Sequence, residues 1–268
     1  MTRNYGQTLG FTVQAVVIGL MLGASFYKLQ ENPTDIQSLK TLCFQFEVGY
    51  FYLSIVYAVY RYSNELVIFD RERADHLYKP VPWVLSNIMA NLPISVFAPA
   101  LFSIILYFMT GMRPDNVAQN LFILISVGVL LQLGSAAFSL VAASVVREFA
   151  SAGSLANFAS VFLFMSAGYA LLQPPVYVNW IRFINIFWYG FRIIAISQFH
   201  GRVFSCEGVT GLAANQCEGD QVLAGLLIPA SDPLWTYFLP LIGLVIGFNT
   251  FATVLLSVSQ SYSRYIWC

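Results

Sequence analysis

Apolar residues along this chain come in long blocks separated by short polar breaks. An α-helix needs about 20 mostly apolar residues to cross the hydrocarbon core of a bilayer. Blocks of that size cover residues 9–29, 38–60, 81–109, 117–146, 149–172 and 235–258, which predicts six transmembrane helices. The breaks carry turn chemistry: Gln30 to Asp35 with Pro33, Thr110 to Asn116 with Gly111 and Pro114, Arg147 beside Glu148, and Pro174 beside Pro175. The third block is long and contains Pro82, Pro93 and Pro99. Proline is tolerated in a membrane helix when neighbours satisfy the freed carbonyls, and it usually bends the helix.

Two regions break the pattern. Residues 61–80 form a charged loop, with Arg61, Glu65, Asp70, Arg71, Glu72, Arg73, Asp75 and Lys79. Residues 173–234 form a long segment in which Trp180 to Phe199 is apolar but holds Arg182 and Arg192. That stretch is either a seventh span or two short helices that enter the membrane and return. The cost of placing charge near the bilayer centre favours the second.

Composition fixes the class. Hydrophobic residues make up 58% of the chain and charged ones 10%, and the mean hydropathy is +0.68. Soluble domains carry roughly 25% charged residues, and their surface must be wetted. Lipid is the solvent for the excess, so the chain reads as an all-α, multi-pass integral membrane protein. Its formal net charge of zero gives no support for a nucleic-acid partner. Only Arg3 precedes the first block and no small-residue cleavage pattern follows it, so that block reads as a span and not as a signal peptide.

Orientation follows from Lys and Arg in short loops. Arg61, Arg71, Arg73 and Lys79 place the charged loop in the cytoplasm, together with Arg3, Arg147 and Arg264. Lys28, Lys40, Arg113, Arg182, Arg192 and Arg202 fall on the other side. Cys206 and Cys217 also lie outside, where disulfides persist; they are either a pair or two unrelated thiols.

Catalytic signatures are missing from the sequence. There is no GxxxxGK followed by Ser or Thr, no GxSxG, and no metal-ligand spacing around His76 or His200. Glu47 is the one acid inside a predicted span. It either marks a transport path or proton relay, or bonds to a neighbouring helix. Ala15, Gly19 and Gly23 share one face of the first span, and Gly243 and Gly247 one face of the last, a pattern that suits close helix packing. Aromatic and Met residues crowd the second span (Phe44, Phe46, Tyr50, Phe51) and the fifth (Phe158, Phe162, Phe164, Met165). They could line a pocket for flat apolar ligands or simply face lipid. In the charged loop, Leu66, Phe69 and Leu77 alternate with charges, which suits an amphipathic helix lying at the membrane face.

This loop, with Glu65, Phe69, Glu72 and Tyr78, resembles that of the G subfamily of ATP-binding-cassette transporters, the eye-pigment and pleiotropic-drug-resistance group, and most of all its fungal members. Leu92-Pro93 and Tyr107-Phe108-Met109-Thr110-Gly111 are similar to later segments of that family. So are Trp180, Tyr189-Gly190-Phe191, Gln198-Phe199-His200-Gly201 and Phe204-Ser205-Cys206. The likeness runs in order along nearly the whole chain. It implies an ABC-2 type exporter fold of six spans, with re-entrant helices before the last one and an outer loop over residues 173–234. It also implies that Glu65, Phe69, Glu72 and Tyr78 belong to a coupling helix that receives the ATPase stroke. Phe44, Phe46, Glu47, Phe158, Phe162 and Met165 would border a substrate cavity on a dimer axis. Leu171 and Leu172 would form an apolar plug, and Cys206 and Cys217 the disulfide of the outer loop.

The expected function is the translocating domain of an ATP-driven exporter of lipids, sterols or amphipathic drugs, in the plasma membrane or an internal (vacuolar) membrane. It would bind no cofactor itself; ATP and Mg would sit in a nucleotide-binding domain joined in cis or supplied in trans. The chain would pair as a homo- or heterodimer amid membrane lipids. Since Met1 lies close to the first span, the chain reads as a fragment, a split gene product or the tail of a longer protein. The rival readings are a motor-less membrane scaffold or regulator and an ion-coupled carrier using Glu47.

Overall fold

In hydrocarbon, backbone N–H and C=O groups must be paired within the protein, which long helices achieve residue by residue. The computed structural model describes residues 5–29, 33–75, 77, 79–169, 171–172, 175, 177, 179–204 and 218–263, and among these it is built from helices. They are α1 (Tyr5–Ser25), α2 (Pro33–Ala74), α3 (Pro80–Thr110), α4 (Val117–Val145), α5 (Phe149–Met165), a 3₁₀ turn (Asn179–Ile184), α6 (Ile186–Phe199), α7 (Gly219–Gly225) and α8 (Trp235–Ser263). Five of them (α1, α2, α3, α4 and α8) are long and apolar enough to cross a membrane. The 17 residues of α5 reach only about 25 Å at 1.5 Å per residue.

At the centre stands α4, which packs on α2, α3, α5, α6 and α8. Its buried positions are mostly small: Gly128, Gly134, Ser135, Ala137, Ser139, Ala142, Ala143 and Ser144. Apolar burial gives helices no preference for each other over lipid tails, so close backbone approach must supply the contact. A methyl group added at Gly128 would lie 3.0 Å from Pro99 Cβ, and one at Gly134 2.8 Å from Ile186 Cδ1. The same device holds α1 to α3, where Gly19 meets Phe102 and Gly23 meets Met109. On α8 it is not used within the protomer, because nothing lies within 4 Å of a Cβ placed at Gly243 or Gly247.

Helix α2 departs from the sequence expectation. Instead of a span followed by a separate surface helix, it runs unbroken for 42 residues, about 63 Å and longer than a bilayer is thick. Its charged last third keeps its axis because Tyr62, Leu66 and Phe69 recur at helical spacing and bury against Val84, Leu140, Ala143, Ala252 and Leu256. Helix α5 stops at Met165, short of the expected residue 172: Ser166 turns its hydroxyl back onto Leu163 O, 3.1 Å away. Gly168 then adopts φ +90°, a conformation open to glycine at little cost.

The stretch from Trp180 to Phe199 forms two short helical pieces joined at Asn185. Asn185 is fully buried and serves both sides of the joint. Its Oδ1 accepts from Phe187 N at 2.9 Å, capping α6, and its Nδ2 donates to Leu163 O at 2.7 Å and Ser166 Oγ at 3.0 Å. Since Ile186 packs on Gly134, about 25 Å along α4 from Val117, α6 begins deep in the bundle. It ends at the α3–α4 turn, where Arg113 Nη1 donates to His200 O at 2.6 Å and Arg113 N to Gln198 Oε1 at 3.2 Å. Arg192 lies over the Trp188 ring, 3.6 Å from its centroid, and its Nη2 donates to Leu227 O at 3.4 Å. Of the two arginines that argued against a full span, Arg192 is thus given partners, while Arg182 lies over the Phe183 ring, 4.9 Å from its centroid, with its buried Nε unbonded among the described residues.

Candidate functional site

The residues singled out from the sequence fall at three places along α2 and α5. Tyr78, Cys206, Cys217 and His76 lie outside the described residues.

In the N-terminal half of α2, Phe44 is partly buried. It stacks on Tyr169 with ring centroids 4.8 Å apart and meets Phe191 of α6 edge-on at 6.2 Å. Tyr169 is fixed in turn by a 2.6 Å hydrogen bond between its hydroxyl and Thr41 Oγ1. Phe46 points the other way, fully buried 5.3 Å from the Phe102 ring of α3. Glu47 is fully buried as well. Its carboxylate lies against α6 at Gly190, where an added Cβ would fall on Oε1 and come within 3.5 Å of Val127 Cγ1. Neither Glu47 oxygen finds a hydrogen-bond donor among the described residues. The reading in which Glu47 bonds to a neighbouring helix finds no partner among the described residues.

Helix α5 sorts its aromatic residues by face. Phe164 turns inward, 4.9 Å from Tyr52 and 4.5 Å from Phe187. Phe158, Phe162 and Met165 recur at i, i+4 and i+7 on the opposite side and are 77%, 51% and 57% exposed, so they make one outward apolar stripe. Leu171 and Leu172 follow, also exposed. The structure thus joins Phe44 to Tyr169 and Phe191, gathers Phe158, Phe162 and Met165 on one face, and keeps Phe46 and Glu47 in the protomer interior.

At the charged C-terminal end of α2, Glu65, Phe69 and Glu72 line one cleft of about 260 Å³ together with Trp83, Asn87 and Asn91 of α3. The Phe69 and Trp83 rings are 4.6 Å apart. Asn87 joins both charges of the i, i+4 pair Arg61–Glu65: its Nδ2 donates to Glu65 Oε2, and its Oδ1 accepts from Arg61 Nη2 at 2.7 Å. Asn91 Nδ2 also donates to Asn87 Oδ1, at 2.8 Å. Further along, Asp70 takes a two-point contact from Arg147, in the α4–α5 turn, at 2.8 and 3.2 Å. Arg73 donates to the carbonyls of Leu256 and Ser257 on α8. The end of α2 is therefore bonded to three other parts of the bundle.

Sequence reasoning missed Asn87, Asn91 and Asn185, and Gln132 of α4, whose Oε1 accepts from the Tyr50 hydroxyl at 3.0 Å. The signal was available: each is an amide inside an apolar block, and such groups are rare in membranes unless they bond to something. Among the described residues, no group of three or more His, Cys, Asp or Glu side chains is arranged to hold a metal ion.

Comparison with known proteins gives one family and many relatives. The family model described as ABC-2 type transporter matches residues 1–199. An uncharacterized ABC transporter ATP-binding protein/permease of Saccharomyces cerevisiae is 26% identical over 225 residues, 82% of this chain and 17% of that protein. ABC transporter G family member 22 of Arabidopsis thaliana is 24% identical over 73% of the chain and 25% of its own length. Multidrug resistance protein CDR2 of Candida albicans is 28% identical over 71% of the chain and 13% of its own length. The chain thus spans a quarter or less of each of these three relatives.

Proposed function

The chain belongs to the ABC-2 type transporter family, and from that premise we propose that it is the substrate-translocating membrane domain of an ATP-driven exporter. The cargo is a lipid, sterol or amphipathic drug. The domain works as a dimer, with ATP and Mg held by nucleotide-binding domains joined to it in cis or in trans. Its host is the plasma membrane or an internal membrane.

One observation carries this reading. Helix α2 is a single rod that joins the region around Phe44 and Glu47 to the charged cluster at Glu65–Arg73 without a break. A push at the cytoplasmic end cannot be absorbed by a hinge within the helix. It reaches α3 through Asn87, the α4–α5 turn through Arg147, and α8 through the Leu256 and Ser257 carbonyls. The conformational shift must come from a difference in the binding of ATP to the two states. The exposed stripe of Phe158, Phe162 and Met165 would face the second protomer and border the cavity between them, with Leu171 and Leu172 above it as the plug. Phe44 can join that border. Glu47 can do so only after movement of α6, because it is sealed behind Gly190, and Phe46 only after movement of α3, because it is sealed behind Phe102.

The test is export of a fluorescent amphipath from cells carrying the chain with its nucleotide-binding partner, with a hydrolysis-dead partner, or alone. Export that depends on hydrolysis supports the reading. Equal export in all three cells refutes it. A second reading, an ion-coupled carrier, draws on the unpaired carboxylate of Glu47. Flux that follows an imposed proton gradient without ATP, and is lost in Glu47→Gln, would favour it.

A further inference from the structure

A cavity of about 570 Å³ lies within the protomer, walled by α2, α3, α4 and α8. None of Phe44, Phe158, Phe162 and Met165 lines it, so it is separate from the stripe on α5. Exposed Leu85 of α3 and exposed Ile246 and Val254 of α8 rim it. Its mouth is therefore the seam between α3 and α8. Both helices are long and apolar enough to cross a membrane, so the seam opens to lipid. Pockets for small ligands run from about 300 to 1,000 Å³, and this volume falls among them.

Each side of the seam brings one amide to the wall, Asn91 from α3 and Asn249 from α8. Both are only half-buried. Asn91 Nδ2 spends both protons on Asn87, donating to its backbone O at 2.7 Å and to Oδ1 at 2.8 Å. Asn249 Nδ2 spends one, on Val245 O of its own helix at 2.8 Å. Among the described residues, nothing donates to Asn91 Oδ1 or Asn249 Oδ1. Asn249 can thus both give and take a hydrogen bond, as a hydroxyl does. The charge of Arg61 at the far wall is already answered by Glu65 at 3.5 Å and by Asn87, so the lining calls for a neutral ligand. An amide carbonyl without a donor is costly in hydrocarbon.

Depth points the same way. Asn91 lies about 28 Å along α3 from Thr110, and Asn249 about 21 Å along α8 from Trp235. Those two ends are neighbours, since Arg113 and Asn116 share a pocket with Pro233 and Leu234. With them at one face of a hydrocarbon core about 30 Å thick, both amides stand toward the other face, where lipid heads begin. Ile94 and Val245, one turn nearer the middle, and Leu133 of α4 make the apolar slot.

We propose that this cavity is a seat for a neutral membrane lipid whose head is a hydroxyl, bonded to the Asn249 amide, with its apolar body along Ile94, Leu133 and Val245. A sterol and a diacylglycerol share that chemistry. A lipid without a donor leaves both carbonyls bare, and a charged one meets no unpaired partner at the seam. The occupant would tie α3 to α8, each of which packs on α4. The seat stands apart from the export path and does not depend on it.

The experiment uses the protein in phosphatidylcholine nanodiscs. The discs hold a diazirine sterol, a diacylglycerol with a diazirine in its acyl chain, or the O-methyl ether of either. Crosslinks from at least one free alcohol are expected on the peptides that hold Leu133 and Val245, and the arm that labels names the source. Its methyl ether is expected to give about fivefold less label there, the loss of one neutral hydrogen bond. Asn249→Leu disturbs only a bond within its own helix, so label is expected to fall by a similar factor while the melting temperature is kept. Should that variant not fold, the comparison of alcohol with ether on the unaltered protein carries the test. Absence of label from both alcohols, equal label from the ethers, or undiminished label in folded Asn249→Leu would each overturn the proposal.

Discussion

Two stretches of one helix handle polar groups in opposite ways. Around Glu47, α2 carries a carboxylate that meets no donor and is enclosed by apolar packing and the α6 backbone. Around Arg61, about 21 Å further along, a charged pair is stitched to Asn87 and Asn91, and the helix beyond it to Arg147, Leu256 and Ser257. Burial of an unpaired acid is costly, whereas a hydrogen-bonded network, here complete but for Arg61 Nε, is tolerated and rigid. The first region is built to change its surroundings and the second to hold them. That division suits a rod that receives force at one end and reshapes a cavity at the other.

The comparison breaks most sharply at Gly190. A Cβ there meets the Glu47 carboxylate and, behind it, Val127. Gly190→Leu is expected to abolish the folded bundle, read as loss of the monodisperse peak after purification. Gly190→Ala is milder, about 1–3 kcal/mol of overpacking. Because the obstacle is the Glu47 side chain, Glu47→Ala should recover most of that loss in a double-mutant cycle. Additive effects would show that the two residues do not share one space. Glu47→Gln alone should leave the melting temperature unchanged or raised, since it removes an unpaired acid and keeps the volume.

Asn87→Ala is next in size. It deprives Glu65 Oε2 of its donor and Arg61 Nη2 of its acceptor. A loss of about 1–3 kcal/mol is expected for polar groups left short of partners, read by thermal unfolding in detergent. Here Arg61→Leu combined with Glu65→Leu should cost less than Asn87→Ala by itself, because removing both charges leaves nothing to satisfy. The opposite order would mean that the network is held by packing and not by its hydrogen bonds.

Five of the six apolar blocks became helices long enough to span lipid, and length alone identified them in the sequence. The faces were not legible. In water, the polar side of a helix marks its outside; in lipid both sides are apolar, so Phe46 and Phe158 look alike in sequence although one is fully buried and the other 77% exposed. The continuation of α2 through residues 61–74 was hidden by its charges, yet Tyr62, Leu66 and Phe69 carried the helical period that buries it. The early end of α5 depends on Ser166 and Gly168, two small residues inside an apolar block that read equally well as helix. Of the candidate site, the cluster of Glu65, Phe69 and Glu72 came from the resemblance. Its partners on α3 came from the structure.

The smallest expected effect on stability is also the most direct test of force transmission. Asp70 and Arg147 form a two-point ion pair whose side chains are 43% and 30% exposed, so water screens it. Asp70→Asn should lower stability by no more than about 0.2–1 kcal/mol. Its effect on transport should be out of proportion. The α4–α5 turn is bonded to α2 at Asp70, and α5 carries the outward stripe of Phe158, Phe162 and Met165 on the far side of that turn. If displacement of α2 moves α5 by this route, Asp70→Asn uncouples them: nucleotide hydrolysis by the complex continues while export per ATP falls several-fold. Charge reversal at both positions, Asp70→Arg with Arg147→Asp, restores attraction at the same place and should recover export. Export unchanged in Asp70→Asn, or no recovery in the swapped pair at wild-type stability, would mean that motion reaches α5 through the buried contacts of Tyr52 and Phe164 instead.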